Sequence, residues 1–499
     1  MLNFKKMKYL KNINKFKFTL LLAAIGMFQG CSDFLEQEPG TQTSINEQLS
    51  TKKGVLEALN GLYGEIQAAV RTEAFVVYAD LLGGNLKFTP SVTTNSSIGS
   101  VGISGNVENV YNFNDLADDS DFSEFYTNSY DIINQANLIL EFTDALKDAT
   151  DIEKRQLKAE ALTARAYAHF QLSELYSQSY GFTDDASHKG IVYITKSITN
   201  GIQYPARETA ANTYNLIITD LTDALNLYSD IVLLNGPNYS YFNKNNTKAL
   251  LARVYLSKKD WKNAYDTADD VIKNSGVNLV SSADYIAEWK KPDLPISEIL
   301  LEFSIPRTQE GTSSGSMSAF FGYTSTSLYG KYAASEDLVN LYESGDIRKQ
   351  LFTNHPLTTL VNLQGQDLNY YFTEKFQGNP GYVAFRLSEQ YLIRAEAALE
   401  LNNTDQAVQD INVIRTRANA VTFQNSENLR EAVFLERRKE LSFEGHFLFD
   451  IARNKKDVSR NDGCISLNCS LNYPSPKFIL PIPRRNINLN TNLKQNEFY

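Results

Sequence analysis

Few side chains in this chain stand at spacings that could do chemistry. Its four histidines are His169, His188, His355 and His446, and none forms His-Glu-x-x-His or another metal-ligand spacing. His169 falls inside a helical pattern and reads as structural. Gly311-Thr312-Ser313-Ser314-Gly315 matches the nucleophile-elbow pattern formally, but lacks the preceding strand and following helix that hold such a turn under strain, so it reads as a Ser/Gly loop. Asn114, Asp115, Asp118, Asp119 and Asp121 form an acidic cluster. Alternating carboxylates can bind Ca²⁺, but no central glycine or spaced bidentate glutamate accompanies them. Ser120–Asp121 reads instead as the cap of the next helix. No glycine loop with lysine to cradle phosphate is present. The expectation is a protein without cofactor or metal, and not an enzyme.

Aromatic residues are the more informative supply: 28 Tyr and 28 Phe, but only two Trp. Most fit helical spacing and belong to a core. Phe320, Phe321, Tyr323, Tyr329 and Tyr332 instead crowd a Gly/Ser/Thr stretch, and Tyr78, Asp80 and Asn85 follow the first helical segment. Aromatic faces stack on sugar rings or peptide side chains, and neighbouring amides and carboxylates bond hydroxyls or backbone groups. Tyr78, Asp80, Asn85, Phe320, Tyr323 and Tyr329 are therefore the candidate ligand-binding residues, the two groups facing each other. The competing reading is that these aromatics pin loops onto the frame.

The elements that would position them are mainly α-helical. Val55, Leu59, Leu62, Ile66 and Val70 place one apolar stripe on a helix over about 48–71. The same period predicts helices over 122–146, 152–178 and 211–229. Two stretches read as helix–turn–helix units. Leu250, Leu251, Val254 and Tyr255 precede Trp261, Ala264, Tyr265, Ala268 and Ile272; Leu387, Tyr391, Ala395 and Ala398 lead through Asn402-Asn403 to Ala407, Ile411, Ile414 and Ala418. Alanines one turn apart let antiparallel helices approach closely, as in tetratricopeptide repeats. Residues 154–228 could form a further pair, split by an insertion at 180–208. The insertions 83–114, 180–208, 230–246, 275–385 and 454–484 read as long irregular loops and small β elements, with a strand over 298–305.

The N-terminus reads as a leader. Six lysines and no acid occupy residues 1–17, and an apolar run from Phe18 to Phe28 is too short to span a bilayer. Met27-Phe28-Gln29-Gly30-Cys31 resembles a lipobox, with Cys31 lipidated; an ordinary leader with a chance cysteine is the alternative. On this reading residues 1–30 are a signal peptide and 31–499 one domain, held at the outer membrane by an acyl anchor. Without the six leader lysines the chain has 42 basic and 58 acidic residues, a net of −16, which makes nucleic acid a poor partner. Cys464 and Cys469 could form a short disulfide loop in an oxidising compartment, or remain two thiols.

Several motifs, taken together and in order, resemble the SusD/RagB family. Glu436-Arg437-Arg438-Lys439-Glu440-Leu441-Ser442-Phe443-Glu444-Gly445-His446, continuing to Asp450-Ile451-Ala452-Arg453, is similar to the family's C-terminal helix signature. Leu480-Pro481-Ile482-Pro483 with Asn488, Asn490, Leu493, Gln495-Asn496 and Tyr499 is similar to its tail. Arg386-Leu387 with Glu389 and Tyr391-Leu392-Ile393-Arg394-Ala395-Glu396-Ala397 resembles its late repeat helix, and Cys31-Ser32-Asp33-Phe34-Leu35 its mature start. Phe447, Asn486 and Glu497-Phe498 depart from the family pattern, within structural motifs. The resemblance implies a SusD-like repeat frame with an irregular binding face. It also implies capture of an oligosaccharide or oligopeptide for a SusC-like TonB-dependent transporter, facing the cell exterior. The sign alternation of Glu436, Arg437, Arg438, Glu440, Glu444, Asp450 and Arg453 is expected to form ion pairs along the helix; adjacent arginines would keep these carboxylates ionised, unlike a glycosidase acid. An oligosaccharide is favoured. The net negative charge argues mildly against strongly anionic polysaccharides.

Overall fold

The computed structural model describes residues 44–91, 99–199, 201, 203–229, 231–291, 296–303, 316–361, 364–377, 381–424 and 428–499. Cys31 with its leader and the Gly311–Gly315 segment lie outside the described residues. Residues 44–48 carry the short helix Ile45–Gln48; all elements named below belong to the body formed by Leu49–Tyr499.

Helix α1 (Lys52–Val70) starts where the Thr51 side chain accepts a bond from Gly54 N–H, and it buries Val55, Leu59, Leu62, Ile66 and Val70 as one stripe. Helix α2 (Glu73–Gly83) follows at once, buries every one of its residues, and stops at Gly84 in the left-handed region, φ 91°. Strand β1 (Leu86–Phe88) leads into the first insertion. Helices α3 (Ser123–Thr143), α4 (Asp151–Tyr176), α5 (Ala210–Leu227), α6 (Lys244–Lys258) and α7 (Trp261–Asn274) then run in sequence. After the β-rich segment come α8 (Leu387–Glu400), α9 (Thr404–Arg417), α10 (Leu429–Glu440) and α11 (Phe447–Arg453).

Each helix from α3 to α9 packs on the next. Small residues set the closeness: Ala252, Leu256, Ala264 and Ala268 join α6–α7 to Ile393 and Ala397 of α8, and Ala395, Ala398, Ala407 and Ile411 join α8–α9 to Leu429 and Val433 of α10. Both inter-helix turns use the same device. Lys259 (φ 62°) and Asn402 (φ 60°) turn left-handed, and the following Asp260 and Asn403 side chains accept from Asn263 N–H and Gln406 N–H. This is a helical-repeat frame, and α4 with α5 extends it across the insertion between them.

The insertion between α7 and α8 supplies most of the β structure: β2 (Ile299–Phe303), β3 (Tyr323–Ser325), β4 (Leu328–Tyr329), β5 (Tyr332–Ala334), β6 (Phe352–Val361), β7 (Gln364–Thr373) and β8 (Tyr382–Arg386). One sheet has the order β1–β5–β7–β6. Its longest pairing is antiparallel β6–β7, from Phe352↔Thr373 to Val361↔Gln364, so this hairpin is larger than the small β elements expected. Strand β2 pairs with β8, and β3 with β4.

The charged signature departs from the expected pairing along one helix. Glu436–Lys439 and Asp450–Arg453 are such pairs, but Glu440, fully buried on α10, bonds Arg348, Arg386 and Arg417 from three other elements. Arg386 also reaches Glu298 and Glu444, both at 2.7 Å, and Lys375 bonds Glu444. A buried ion must find partners wherever the fold supplies them, and here the fold supplies them across elements. Burial alone would push the Glu440 carboxyl up, but Arg417, Arg386 and Arg348 hold it well below the usual range.

The acidic cluster also departs from expectation. Helix α3 has Phe122 at its N-cap and no side-chain cap. Asp121 turns back to accept from Val110 N–H at 3.0 Å, and Asp115 accepts from Ser120 and Asp121 N–H at 2.7 and 3.1 Å. Bonds to the preceding loop compete successfully with the cap. Cys464 and Cys469 are joined by a disulfide.

Candidate ligand-binding cleft

Strand β1 and its continuation build one wall of a surface cleft of about 490 Å³. Leu86, Lys87 and Phe88 pair with Ala334, Ala333 and Tyr332 of β5. Past the strand, Thr89 N–H bonds Lys331 O and the Thr89 hydroxyl donates to Gly330 O, at 2.9 and 2.8 Å. Pro90 and Val101 then form an isolated bridge, and Gly99 pairs beside Thr359 on the outer edge of β6. The first insertion is thereby stitched to the sheet rather than left loose. The cleft lies between Phe88–Ser91, the returning segment around Ser100–Ser104, and Tyr329 with Lys331.

Tyr329 is fixed by its hydroxyl, which donates to Pro90 O at 2.8 Å. Its ring lies parallel to that of Tyr323 at 6.2 Å, and Tyr323 stacks on His355 of β6 at 3.5 Å with 12° between planes. Phe372 of β7 packs against both tyrosines, at 5.2 and 5.6 Å. Partial burial lowers the His355 imidazole below its ordinary value. Gly330 makes this fit possible, because a Cβ there would stand 2.2 Å from Phe320 O.

At the base of the cleft, Lys331 Nζ reaches Glu73 Oε2 of α2 at 2.9 Å. Tyr332 donates to Glu73 Oε1 at 2.7 Å, and Asn106 Nδ2 to Oε2 at 2.8 Å. Burial pushes the Glu73 carboxyl up, but bonds from Lys331, Tyr332, Ser104 and Asn106 outweigh it and hold it below the ordinary range.

Of the six residues expected at a ligand site, Tyr323 and Tyr329 are half-buried, and Tyr329 lines the cleft. The other four are sealed in. Tyr78 is 2 % exposed, with its ring edge on Phe122 at 5.0 Å. Asp80 accepts from Asn85 Nδ2 at 2.7 Å and from Gly445 N–H at 2.9 Å, while Asn85 Oδ1 accepts from Arg438 at 2.7 Å. These two residues tie α2 to the signature segment, so the expected facing of the two groups across a ligand is corrected: one group is internal. Phe320 is buried against Phe321. Sequence reasoning missed Ser91, Ser100, Ser104 and Lys331. Their one signal was membership of Ser/Gly-rich insertions, which many surface loops share.

Among the described residues lining the cleft there is no carboxylate, histidine or cysteine. Aromatic faces, serine hydroxyls and one ammonium can hold a polar ligand of sugar or short-peptide size. Fold and cleft together define a helical-repeat scaffold with an open cleft on its insertions.

Comparison with known proteins agrees. The profile of the SusD family matches residues 353–499, and a SusD-like profile described as "Starch-binding associating with outer membrane" matches residues 33–256. SusD-like protein P2 of Formosa agariphila is 25 % identical over 546 aligned positions, covering 97 % of this chain and 99 % of that protein. SusD-like protein P25 of the same organism is 22 % identical, covering 85 % and 86 %. A SusD superfamily structure from Bacteroides thetaiotaomicron superposes with TM-score 0.76 at 25 % identity, covering 89 % of this chain and 99 % of that one. Another from Bacteroides vulgatus gives 0.76 at 25 %, covering 90 % and 99 %. The chain belongs to the SusD/RagB family, a carbohydrate-binding family associated with the outer membrane.

Proposed function

We propose that this protein is a cell-surface lipoprotein, anchored through Cys31, that captures oligosaccharides in the cleft beside Tyr329 and Tyr323 and passes them to a SusC-like TonB-dependent transporter. The observation that carries this reading is the half-buried Tyr329 set beside serine hydroxyls around about 490 Å³ of open space. Rings cover the apolar faces of sugars, and hydroxyls exchange bonds with theirs. Capture proceeds without turnover on this reading, since glycosidases in most families use two carboxyls flanking the bond, and none is among the described residues lining the cleft. The profile description of the family supports the carbohydrate class.

Calorimetry of the purified protein against a glycan and peptide panel, with product analysis of each mixture, tests this. Saturable binding of a glycan with no product is expected. Binding of peptides alone would move the protein to the RagB-like, peptide-capturing reading, and a product formed at a rate proportional to protein would make it a hydrolase. In cells, Cys31→Ala should shift the protein out of the outer-membrane fraction, and mild-detergent pull-down of the parent should recover a TonB-dependent transporter. An unchanged fractionation defeats the anchor, and an empty pull-down the hand-off.

A further inference from the structure

Lys331 is the one charged residue among the described residues lining the cleft, in a chain whose acids outnumber its bases by 58 to 48. Its side chain is 55 % exposed, while that of its partner Glu73 is 7 % exposed and set behind the cleft wall. The Glu73 carboxylate divides its charge among Lys331, Tyr332 and Asn106. An ammonium has three N–H donors. One goes to Glu73, a second makes a long contact with Ser104 Oγ at 3.4 Å, and a third is left for the cleft. Tethering at one end also removes rotamer freedom that a free lysine would lose on binding. The cleft therefore offers a held cation beside serine hydroxyls and an aromatic ring, and the one carboxylate in contact with that cation, Glu73, is set behind the wall and already bonded to Tyr332 and Asn106.

We infer that Lys331 determines specificity by reading an anionic substituent on the glycan, a uronate carboxylate or a sulfate ester, and that Glu73 is its positioning residue. This rests on the carbohydrate reading above and adds the charge of the ligand to it. One cation in one subsite suits a glycan with an occasional charge. A densely charged polymer would meet repulsion from the acidic remainder of the surface.

The test is calorimetry at low and moderate salt with two sets of probes: uronate-containing oligosaccharides with their carboxyl-reduced counterparts, and sulfated oligosaccharides with their desulfated counterparts. In at least one set the charged member should bind about tenfold more tightly than its neutral twin, as expected for one charge-assisted hydrogen bond, and the advantage should shrink with salt. Lys331→Met should abolish the difference between charged and neutral twins, and Lys331→Arg should keep most of it. The set that responds tells carboxylate from sulfate. Equal binding of charged and neutral twins by the parent overturns the inference and leaves the carbohydrate reading intact. A charged preference that survives in Lys331→Met also overturns it. Failure of every glycan, charged or neutral, removes both.

Discussion

An aromatic ring serves a ligand only through the face it has not already given to the core. Tyr323 and Tyr329 each rest against Phe372 and stay half-buried, whereas Tyr78 and Phe320 have spent their ring faces on packing. Tyr323→Ala and Tyr329→Ala should each weaken glycan binding by about 1–3 kcal/mol, the range for anchor residues, with the fold intact by circular dichroism. Parent-like titration curves for both variants would reduce these rings to loop packing. The sequence singled out this pair because tyrosines crowded a Gly/Ser/Thr stretch too polar to be core. By the same rule it wrongly added Asp80 and Asn85. Polar side chains after a helix read as exposed, and nothing local announces that they bond Gly445 and Arg438 some 350 residues away. Lys331 was illegible for the converse reason: an isolated lysine in a loop looks like any solvated charge until its ion pair with Glu73 is seen.

Elements were legible in proportion to how one-sided their burial is. Helix α1 shows one face to the core and a 3.6-residue period to the reader, and the alanine-rich pairs α6–α7 and α8–α9 announce their close approach. Helix α2 has no polar face. Glu-Ala-Phe-Val-Val-Tyr-Ala-Asp-Leu-Leu-Gly is buried throughout, so no period survives to report it. The β6–β7 hairpin was hidden because its outer half, Gln364–Asn369, is exposed and polar. The signature helix α10 was recognisable, but its partners were not, since Arg348, Arg386 and Arg417 come from distant segments. Those partners make a prediction at this scale. Arg386→Met leaves Glu298, Glu440 and Glu444 each short of a cation in a dry interior. Removing one partner from a buried ionic cluster costs about 3–5 kcal/mol, so thermal unfolding should begin well below that of the parent, while surface-pair removal at Lys262–Asp266 should change little. Equal melting of Arg386→Met and parent would mean that the cluster contributes nothing net.

Across the whole molecule, two populations of partly or fully buried acids pull stability in opposite directions with pH. Glu440, Glu298, Glu436 and Asp450 are buried, yet their arginine and lysine partners hold them below ordinary carboxylate values. Their contribution is complete above the unfolded carboxylate range and is lost as pH falls through it. Glu160 and Asp115, both buried, and Glu174, half-buried, behave inversely. Burial pushes Glu160 and Asp115 up to about 7. It pushes Glu174 up to about 8, with the Arg253 guanidinium only partly offsetting it. A folded state that holds a proton more tightly than the unfolded chain loses stability as pH rises between the two values, here from about 4.5 to about 8. His169 and His446, both lowered chiefly by burial, oppose this loss below about 6.5, where the unfolded chain takes up the protons they refuse. Above that point nothing in these groups offsets the carboxyls. Stability should therefore fall steeply in acid, peak in the mildly acidic range and decline between about pH 6.5 and 8, the last part of the decline belonging to Glu174. That side chain touches two small cavities of about 20 and 30 Å³, each with room for water, so its share is at most a few kcal/mol. Glu174→Gln keeps the shape and removes the proton. Urea unfolding at half-unit pH steps should show the variant matching the parent near pH 4 and exceeding it increasingly toward pH 8; a constant difference across that range would mean that Glu174 ionises freely in the folded protein.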